Sequence, residues 1–224
     1  APSLALAAVA AVIGLAVPLQ MVSQTWDDHD RSGRWACHDF GINYLNSLDP
    51  NAIIFTNGDN DTFPLWYAQE VEGVRTDVRV VNLSYLATDW YISQMRRAAY
   101  KSSPLPMQAD DLTYAYGDRV QIQIDGDDPG VVPVSKALEQ VYGDKSEMDE
   151  YGRIPYAHMH NNKLFIPVDA RQAVAAGVID SVKAAQAVRR IDIDFQAANV
   201  ASLTSSDAMA LDIINASITE GWKR

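Results

Sequence analysis

The sequence predicts an α/β fold, namely a Rossmann-like βαβ core with a small parallel or mixed sheet, preceded by one apolar helix. Short apolar runs at residues 52–56 and 78–83 alternate with helix-patterned segments at 62–72 and 89–101. Buried strands that alternate with helices at this spacing are typical of parallel βαβ units. The apolar helix is predicted from residues 4–22, because no Asp, Glu, Lys, Arg or His precedes Asp27.

The apolar run has three interpretations. A membrane-spanning helix needs about 20 mostly apolar residues, which residues 4–22 supply. A secretory signal usually carries Lys or Arg before its apolar run, and none is present here. A buried helix of a globular domain remains the third interpretation, although this run has no polar stripe. We favour the spanning helix and expect two parts: an apolar helix over 1–25, and a soluble α/β domain over 26–224.

Composition excludes several classes of protein. The chain has 224 residues, with 18 Lys and Arg against 29 Asp and Glu, and a formal net charge of −11. Because such a chain repels phosphates, nucleic acid is not an expected partner. The single cysteine, Cys37, excludes an intramolecular disulfide and a cysteine-rich zinc site, and we expect it to be buried. The sequence has no G-x-G-x-x-G, P-loop or G-x-S-x-G motif.

The elements follow in chain order. Ser32 is expected to cap a helix over 34–48, which Asp49 and Pro50 end. The βαβ unit comes next. Beyond it we predict a strand over 119–125, a Gly/Asp/Pro loop over 125–133, a helix over 135–142 and an acidic loop over 143–152. The last predicted elements are a strand over 163–168, a helix from Asp169 to 176 that Gly177 ends, a strand over 190–195, and a helix capped by Ser205 or Ser206.

The most polar segment of the βαβ unit is its first loop, residues 57–62, which reads N-G-D-N-D-T. Ligands of open α/β sheets bind beyond the carboxyl ends of the strands, where this loop lies. One interpretation is a metal or sugar site formed by its carboxylates and amides. The other is a helix start, in which Asp61 or Thr62 caps the helix and Gly58 takes a positive φ. The candidate substrate-binding residues are Asn57, Asp59, Asn60, Asp61, Trp66 and Tyr67.

A second candidate site is a divalent-metal loop formed by Asp28, Asp30, Ser32 and Asp39. Its oxygens at alternate positions resemble a Ca²⁺ loop, but the late ligand is Asp where Glu is usual, and two arginines lie nearby. No other cofactor is indicated. His158 and His160 would share one face of a strand, but no third ligand is visible, so we interpret them as surface histidines.

Several runs of the sequence can be compared with known families: Asp27–Arg34, Asn43–Leu45, Thr56–Tyr67, Val80–Leu86, Phe165–Val168, Leu211–Ile214 and Trp222–Arg224. Together they resemble a bacterial family of multi-pass membrane proteins, formerly a domain of unknown function. The family is now grouped with protein O-mannosyltransferase-like glycosyltransferases of the GT-C type. The N-G-D-N-D-T-F-P stretch is the most specific of the runs, and the resemblance covers nearly the whole chain.

The resemblance implies a fragment of a membrane enzyme that uses a lipid-linked sugar donor. Because the family continues the motif that begins at Trp222–Arg224, it also implies that the soluble domain over 26–224 is truncated at its C-terminus. It implies that residues 4–22 form the last transmembrane helix, in the bacterial inner membrane with the soluble domain in the periplasm. The family's catalytic carboxylate would lie in an earlier membrane part, so this chain is expected to be an accessory domain with no catalytic residue. Its partners would be the membrane and an acceptor protein or glycan. The alternatives are a structural or partner-binding module, and a membrane-anchored metal-dependent enzyme that uses Asp59 and Asp61.

Overall fold

The computed structural model describes residues 3–110, 113–114 and 118–222. Lys223 and Arg224, which belong to the last run of the family resemblance, lie outside the described residues. The chain divides into two compact units, Ala1–Phe40 and Gly41–Arg224. The predicted domain boundary after residue 25 lies inside the first unit.

The first unit is dominated by α1, Leu4–His29. The Ser3 hydroxyl accepts a hydrogen bond from the Leu6 N–H at its start, and Pro18 lies inside the helix without ending it. At about 1.5 Å per residue, a helix of 26 residues measures about 39 Å. Its mean hydropathy reaches 2.2 and none of that apolar window is buried within the structure. The predicted apolar helix is therefore confirmed as a candidate membrane span by its length and composition.

Two predictions about this unit are wrong. The next helix, α2, spans Ala36–Asn46, so Ser32 does not cap it. The Ser32 N–H instead donates to the Asp30 carboxylate over 2.9 Å, which closes a turn between the two helices. Cys37, in the first turn of α2, is exposed rather than buried.

The predicted βαβ unit is confirmed at the start of the second compact unit. Strands β1, Ile53–Thr56, and β2, Arg79–Asn82, pair in parallel, and α3, Asp59–Glu70, connects them. The helix begins three residues earlier than predicted because Gly58, at φ 86°, turns the chain directly from the strand into the helix. Gly41 of α2 lies so close to α3 that a Cβ there would be 2.4 Å from the Pro64 carbonyl oxygen. The fourth helix, α4, is Asp89–Met95 and ends before the predicted residue 101.

A second, mixed sheet forms the rest of the unit, with the order β4-β5-β3-β7 and with β6 also paired to β5. Its central strands, β3 and β5, are parallel, and the other pairs are antiparallel. A 3₁₀ turn occupies Lys183–Gln186. The remaining elements are β3 Gln121–Pro133, α5 Val134–Gly143, β4 Glu147–Met148, β5 Pro155–Pro167, α6 Ala170–Ala175, β6 Arg190–Asp194, β7 Ser202–Thr204 and α7 Ser205–Thr219.

The two central strands correct the sequence prediction. Residues 125–133, predicted as a loop, belong to β3, and β5 begins eight residues before the predicted strand at 163. The error has a physical cause: β3 carries register shifts between Ile124 and Val131, where glycines and aspartates take the place of the expected alternation. The cap of α7 is Thr204, in a capping box with Asp207, and not Ser205 or Ser206. The predicted Asp169 cap of α6 is confirmed.

The core consists of three buried clusters. One joins α2, α3 and the small parallel sheet, with Leu45, Leu65 and Val80 among its members. The second joins α4 and α7 to β2. The third lies between the mixed sheet and α5 and α7. Because α7 takes part in two clusters, it joins the βαβ unit to the mixed sheet.

Candidate functional site

A cleft of about 620 Å³ lies between α3, β2 and α4. Its walls carry aromatic side chains from two elements: Trp66 from α3, and Trp90 and Tyr91 from α4. Tyr85, on the connection between β2 and α4, completes this wall. The βαβ topology explains the position, because α3 and α4 both pack beside β2 and leave a groove between them.

The aromatic rings form a continuous series. Trp66 stacks on Phe63, with centroids 5.7 Å apart, and on Tyr85, with centroids 6.2 Å apart and an interplanar angle of 17°. Tyr85 in turn contacts Trp90 with centroids 5.8 Å apart. Trp90 is 55% exposed, although rings of this size are usually well covered in a folded domain. The series therefore presents flat apolar surface to solvent at the cleft.

Polar groups also line the cleft. The Tyr100 hydroxyl donates a hydrogen bond to the Glu70 carboxylate, and this bond raises the pKa of Tyr100. The Gln69 amide donates to the carbonyls of Arg75 and Val78, over 2.9 Å each. Gln94 is exposed at the rim. A carboxylate, a hydroxyl and a carboxamide thus lie beside the rings, within one cleft.

The loop at residues 97–103 closes the cleft, and Arg79 of β2 holds it in place. Arg79 is 4% exposed. Its guanidinium donates to the Ser102 hydroxyl at 2.9 Å and to the carbonyls of Arg97 and Ser103 at 2.9 and 2.8 Å. Arg79 therefore satisfies backbone carbonyls of this irregular loop.

The structure separates the residues predicted to bind substrate. Trp66 lines the cleft, whereas Tyr67, 43% exposed, is not among its lining residues. Asp59, Asn60 and Asp61 form the exposed first turn of α3, directly after the exposed Asn57.

One contact joins this helix start to the cleft. The Tyr85 hydroxyl donates to the Asp59 carboxylate over 3.3 Å, and the negative charge of Asp59 raises the pKa of Tyr85. Asp59 therefore contacts the same tyrosine that lines the cleft.

Part of the N-G-D-N-D-T motif has a structural role. The Thr62 hydroxyl donates to the Gly58 carbonyl at 2.6 Å, lies 2.7 Å from the Thr56 hydroxyl and accepts from the Asn82 amide at 3.0 Å. The positive φ predicted for Gly58 is confirmed. A cap by Asp61 or Thr62 is not formed, because Gly58 is itself the N-cap and no side-chain cap bond is present. The buried members fix the turn, and the exposed carboxylates remain accessible to solvent.

The predicted calcium loop is not assembled in the described part of the chain. Asp28 lies in the last turn of α1, and a carboxylate oxygen of Asp30 accepts a hydrogen bond from the Ser32 N–H. Asp39 lies on α2 and is 2.8 Å from the His38 Nδ1 atom. Among the described residues, these aspartates do not bring three ligand atoms within 4.8 Å of one another.

A different cluster does bring such atoms together. Asp125 and Asp127 of β3 lie beside His158 and His160 of β5, and ligand atoms of Asp125, Asp127 and His160 all lie within 4.8 Å of one another. The sequence showed no third ligand beside the two histidines, and the structure places two carboxylates there. The signal was present as D-G-D in one segment and H-x-H in another, but only the pairing of the two strands places them side by side.

Sequence reasoning also missed most of the cleft. Tyr85, Trp90, Tyr91 and Tyr100 were not among the predicted site residues, because they are spread over β2–α4 and the following loop. An excess of aromatic residues at 85–100 was the available signal.

Comparison with known proteins gives one match. A family model described as TMEM260-associated domain 2 matches residues 37–224, which include the complete cleft and the mixed sheet. Neither the curated proteins nor the solved structures contain a match to the chain.

Proposed function

The chain belongs to the family of TMEM260-associated domain 2, and from this premise we propose that it is the saccharide-binding accessory domain of a membrane-bound glycosyltransferase. In this proposal α1 anchors the chain in a bacterial inner membrane and the second compact unit lies in the periplasm. The catalytic part uses a lipid-linked sugar donor, as the O-mannosyltransferase-like resemblance implies. The accessory domain holds the acceptor, a glycan or a glycosylated protein, near that part.

The observation that carries the proposal is the aromatic cleft. Its volume of about 620 Å³ lies in the range of small-molecule sites, about 300–1,000 Å³. The partly exposed rings of Trp66 and Tyr85, which stack, and of Trp90, which is tilted against Tyr85, offer flat apolar faces that suit the C–H faces of sugar rings. Glu70, Tyr100 and Gln94 offer acceptors and donors for hydroxyl groups.

The helix start contributes at the edge of this site. Asp59 reaches the cleft through its hydrogen bond with Tyr85, and Asn57, Asn60 and Asp61 lie exposed beside it. In this proposal they bind the part of a longer glycan that extends beyond the cleft. Tyr67, on the adjacent surface of α3, would contact the same extension.

The test is direct binding to the 224-residue chain in a detergent without a sugar headgroup, since a maltoside would compete for the cleft. Mannose-containing oligosaccharides are titrated while tryptophan fluorescence and heat are recorded. We expect saturable binding at one site per chain. Truncation of an aromatic anchor costs about 2 kcal/mol, so Trp90→Ala should weaken binding about 30-fold.

Two tyrosines provide a matched comparison. Tyr100 lines the cleft and is 66% exposed, whereas Tyr151 does not line it and is 67% exposed. Tyr100→Ala should weaken saccharide binding, and Tyr151→Ala should not. If no oligosaccharide binds, or if both variants behave alike, the saccharide-binding proposal fails and a structural or partner-binding module becomes the better account.

A further inference from the structure

The solvent face of the mixed sheet carries a compact group of histidine and aspartate side chains, far along the chain from every residue of the cleft. On β5, Ala157, Met159 and Asn161 point into the core and are at most 1% exposed. Because side chains alternate along a strand, His158 and His160 share the opposite face. Their rings are stacked, with centroids 6.4 Å apart and an interplanar angle of 11°.

Alternation along β3 places Asp125 and Asp127 on the face opposite Ile122 and Ile124, and the strand carries a bulge at this point. The paired register advances four residues on β3, from Ile124 to Asp128, against two on β5. Gly126 lies within this bulge at φ +65°, and a Cβ on it would be 2.7 Å from the Asn162 amide nitrogen. Bulges of this kind redirect side chains. Here Asp125 and Asp127 lie on either side of Gly126, and both contact the histidines.

We propose that Asp125, Asp127 and His160 bind a divalent transition-metal ion, with Zn²⁺ as the best fit. The His160 Nδ1 atom lies 3.1 Å from the Asp127 Oδ1 atom and 3.9 Å from the Asp125 Oδ2 atom. Three ligand atoms bonded to one zinc ion at about 2.0–2.1 Å are about 3.3 Å apart. The side chains of Asp125, Asp127 and His160 are 23%, 65% and 41% exposed. Shifts of less than about 1 Å in these side chains would complete the zinc geometry.

His158 holds the first ligand in place. Its Nδ1 atom lies 2.7 Å from the Asp125 Oδ2 atom, so the ring N–H donates to the carboxylate. Hydrogen bonds of this kind orient ligating carboxylates around a metal ion. His160 would bind through the Nδ1 lone pair and carry its proton on Nε2, which is open to solvent. Solvent would occupy the remaining coordination positions.

The donor set selects the class of ion. An imidazole nitrogen suits zinc and other late first-row metals, whereas Mg²⁺ and Ca²⁺ prefer oxygen ligands alone. In the described part of the chain, the ion pairs of Asp125 and Asp127 are with histidines only, so a bound cation would add the missing positive charge. The site links the two central strands at the bulge, and the ion would stabilise their pairing.

The test uses the tag-free 224-residue chain in detergent, treated with a chelator and then titrated with Zn²⁺ by calorimetry, with Mg²⁺ as a second titrant. We expect one saturable Zn²⁺ site and no competition from Mg²⁺. His160→Gln and Asp127→Asn should each weaken Zn²⁺ binding at least about 100-fold. His158→Gln should weaken it about 10-fold to 100-fold, as loss of an outer partner does.

His38 provides the matched control, because its Nδ1 atom also lies 2.8 Å from a carboxylate, that of Asp39. His38→Gln should leave Zn²⁺ binding unchanged. Melting temperatures without metal show whether each variant still folds, and these exposed substitutions should leave them within about 2 °C. The proposal is overturned if wild type shows no saturable site, if Mg²⁺ competes equally, or if His38→Gln weakens binding as much as His160→Gln.

Discussion

Replacing Arg79 by methionine tests how the loop at 97–103 is held beside the cleft. The change keeps an unbranched side chain of similar length but removes every donor. The wild-type guanidinium donates to the Ser102 hydroxyl and carbonyl, at 2.9 and 3.3 Å, and to the carbonyls of Arg97 and Ser103. Loss of these bonds should lower the free energy of unfolding and release the loop.

The expected loss in the free energy of unfolding depends on which of these acceptors can form hydrogen bonds with water in the variant. Arg97 and Ser103 are exposed, so their carbonyls can bond to solvent once the guanidinium is gone. Ser102 is 3% exposed, so its hydroxyl and carbonyl remain buried without their donor. Two bonds from a charged donor, at about 1.5 kcal/mol each, amount to about 3 kcal/mol.

The assay is urea unfolding of the 224-residue chain in detergent, followed by circular dichroism. Arg153→Met is the control, because the Arg153 side chain is 67% exposed and its loss should cost less than about 0.5 kcal/mol. The Arg79 variant should also bind saccharide more weakly, because Ala99, Tyr100 and Ser102 line the cleft. A loss below about 1 kcal/mol, or one equal to that of Arg153→Met, would refute this account of the loop.

Three further predictions concern other parts of the second unit. The hydrogen bond from Arg75 lowers the pKa of Asp77 to about 2, below its unfolded value of about 3.9, so its stabilising effect is complete above about pH 4. That effect, about 1–2 kcal/mol after solvent screening, should disappear as the pH falls toward 2, and urea titrations of wild type and Asp77→Asn should converge there. Burial raises the pKa of Asp212, so its charged form is disfavoured in the fold and the wild-type free energy of unfolding should decrease as the pH rises above about 4. Asp212→Ala should remove that slope in urea titrations, and should cost about 3 kcal/mol because the buried Ala109 N–H and the Tyr142 hydroxyl lose their acceptor. Gly126→Ala should cost about 1–2 kcal/mol in thermal unfolding because of its positive φ, whereas Gly143→Ala, with no atom within 4 Å of the added Cβ, should not destabilise the chain.

The βαβ core could be predicted from the sequence because it depends on patterns of neighbouring residues. Apolar runs at 52–56 and 78–83, with a helix between them, constrain the chain to a right-handed parallel crossover. The positive φ of Gly58 was identified correctly for the same reason, since glycine in a polar loop between a strand and a helix is itself a local signal. Helix starts were less predictable: Ser32 and Thr204 are both good caps, and only the second is used, because tertiary packing decides where each helix begins.

The residues of the candidate sites were much harder to predict from the sequence. Trp66 was identified as a candidate, but the cleft depends on Trp90 and Tyr100, which reach it from α4 and from a loop that Arg79 positions. The His–Asp cluster was missed for a related reason. Residues 125–133 lack the alternation of a regular strand, so the sequence does not show that β3 continues beside β5 where Asp127 contacts His160.

The sequence by itself determined the apolar helix, the α/β class and the parallel βαβ unit, because each depends on the order and spacing of apolar residues within about 30 positions. The tertiary structure alone decided the cleft and the His–Asp cluster. Both depend on contacts between residues far apart in the chain, such as the 33 positions between Asp125 and His158. Strand register and loop anchoring set those contacts, and both result from packing of the whole domain.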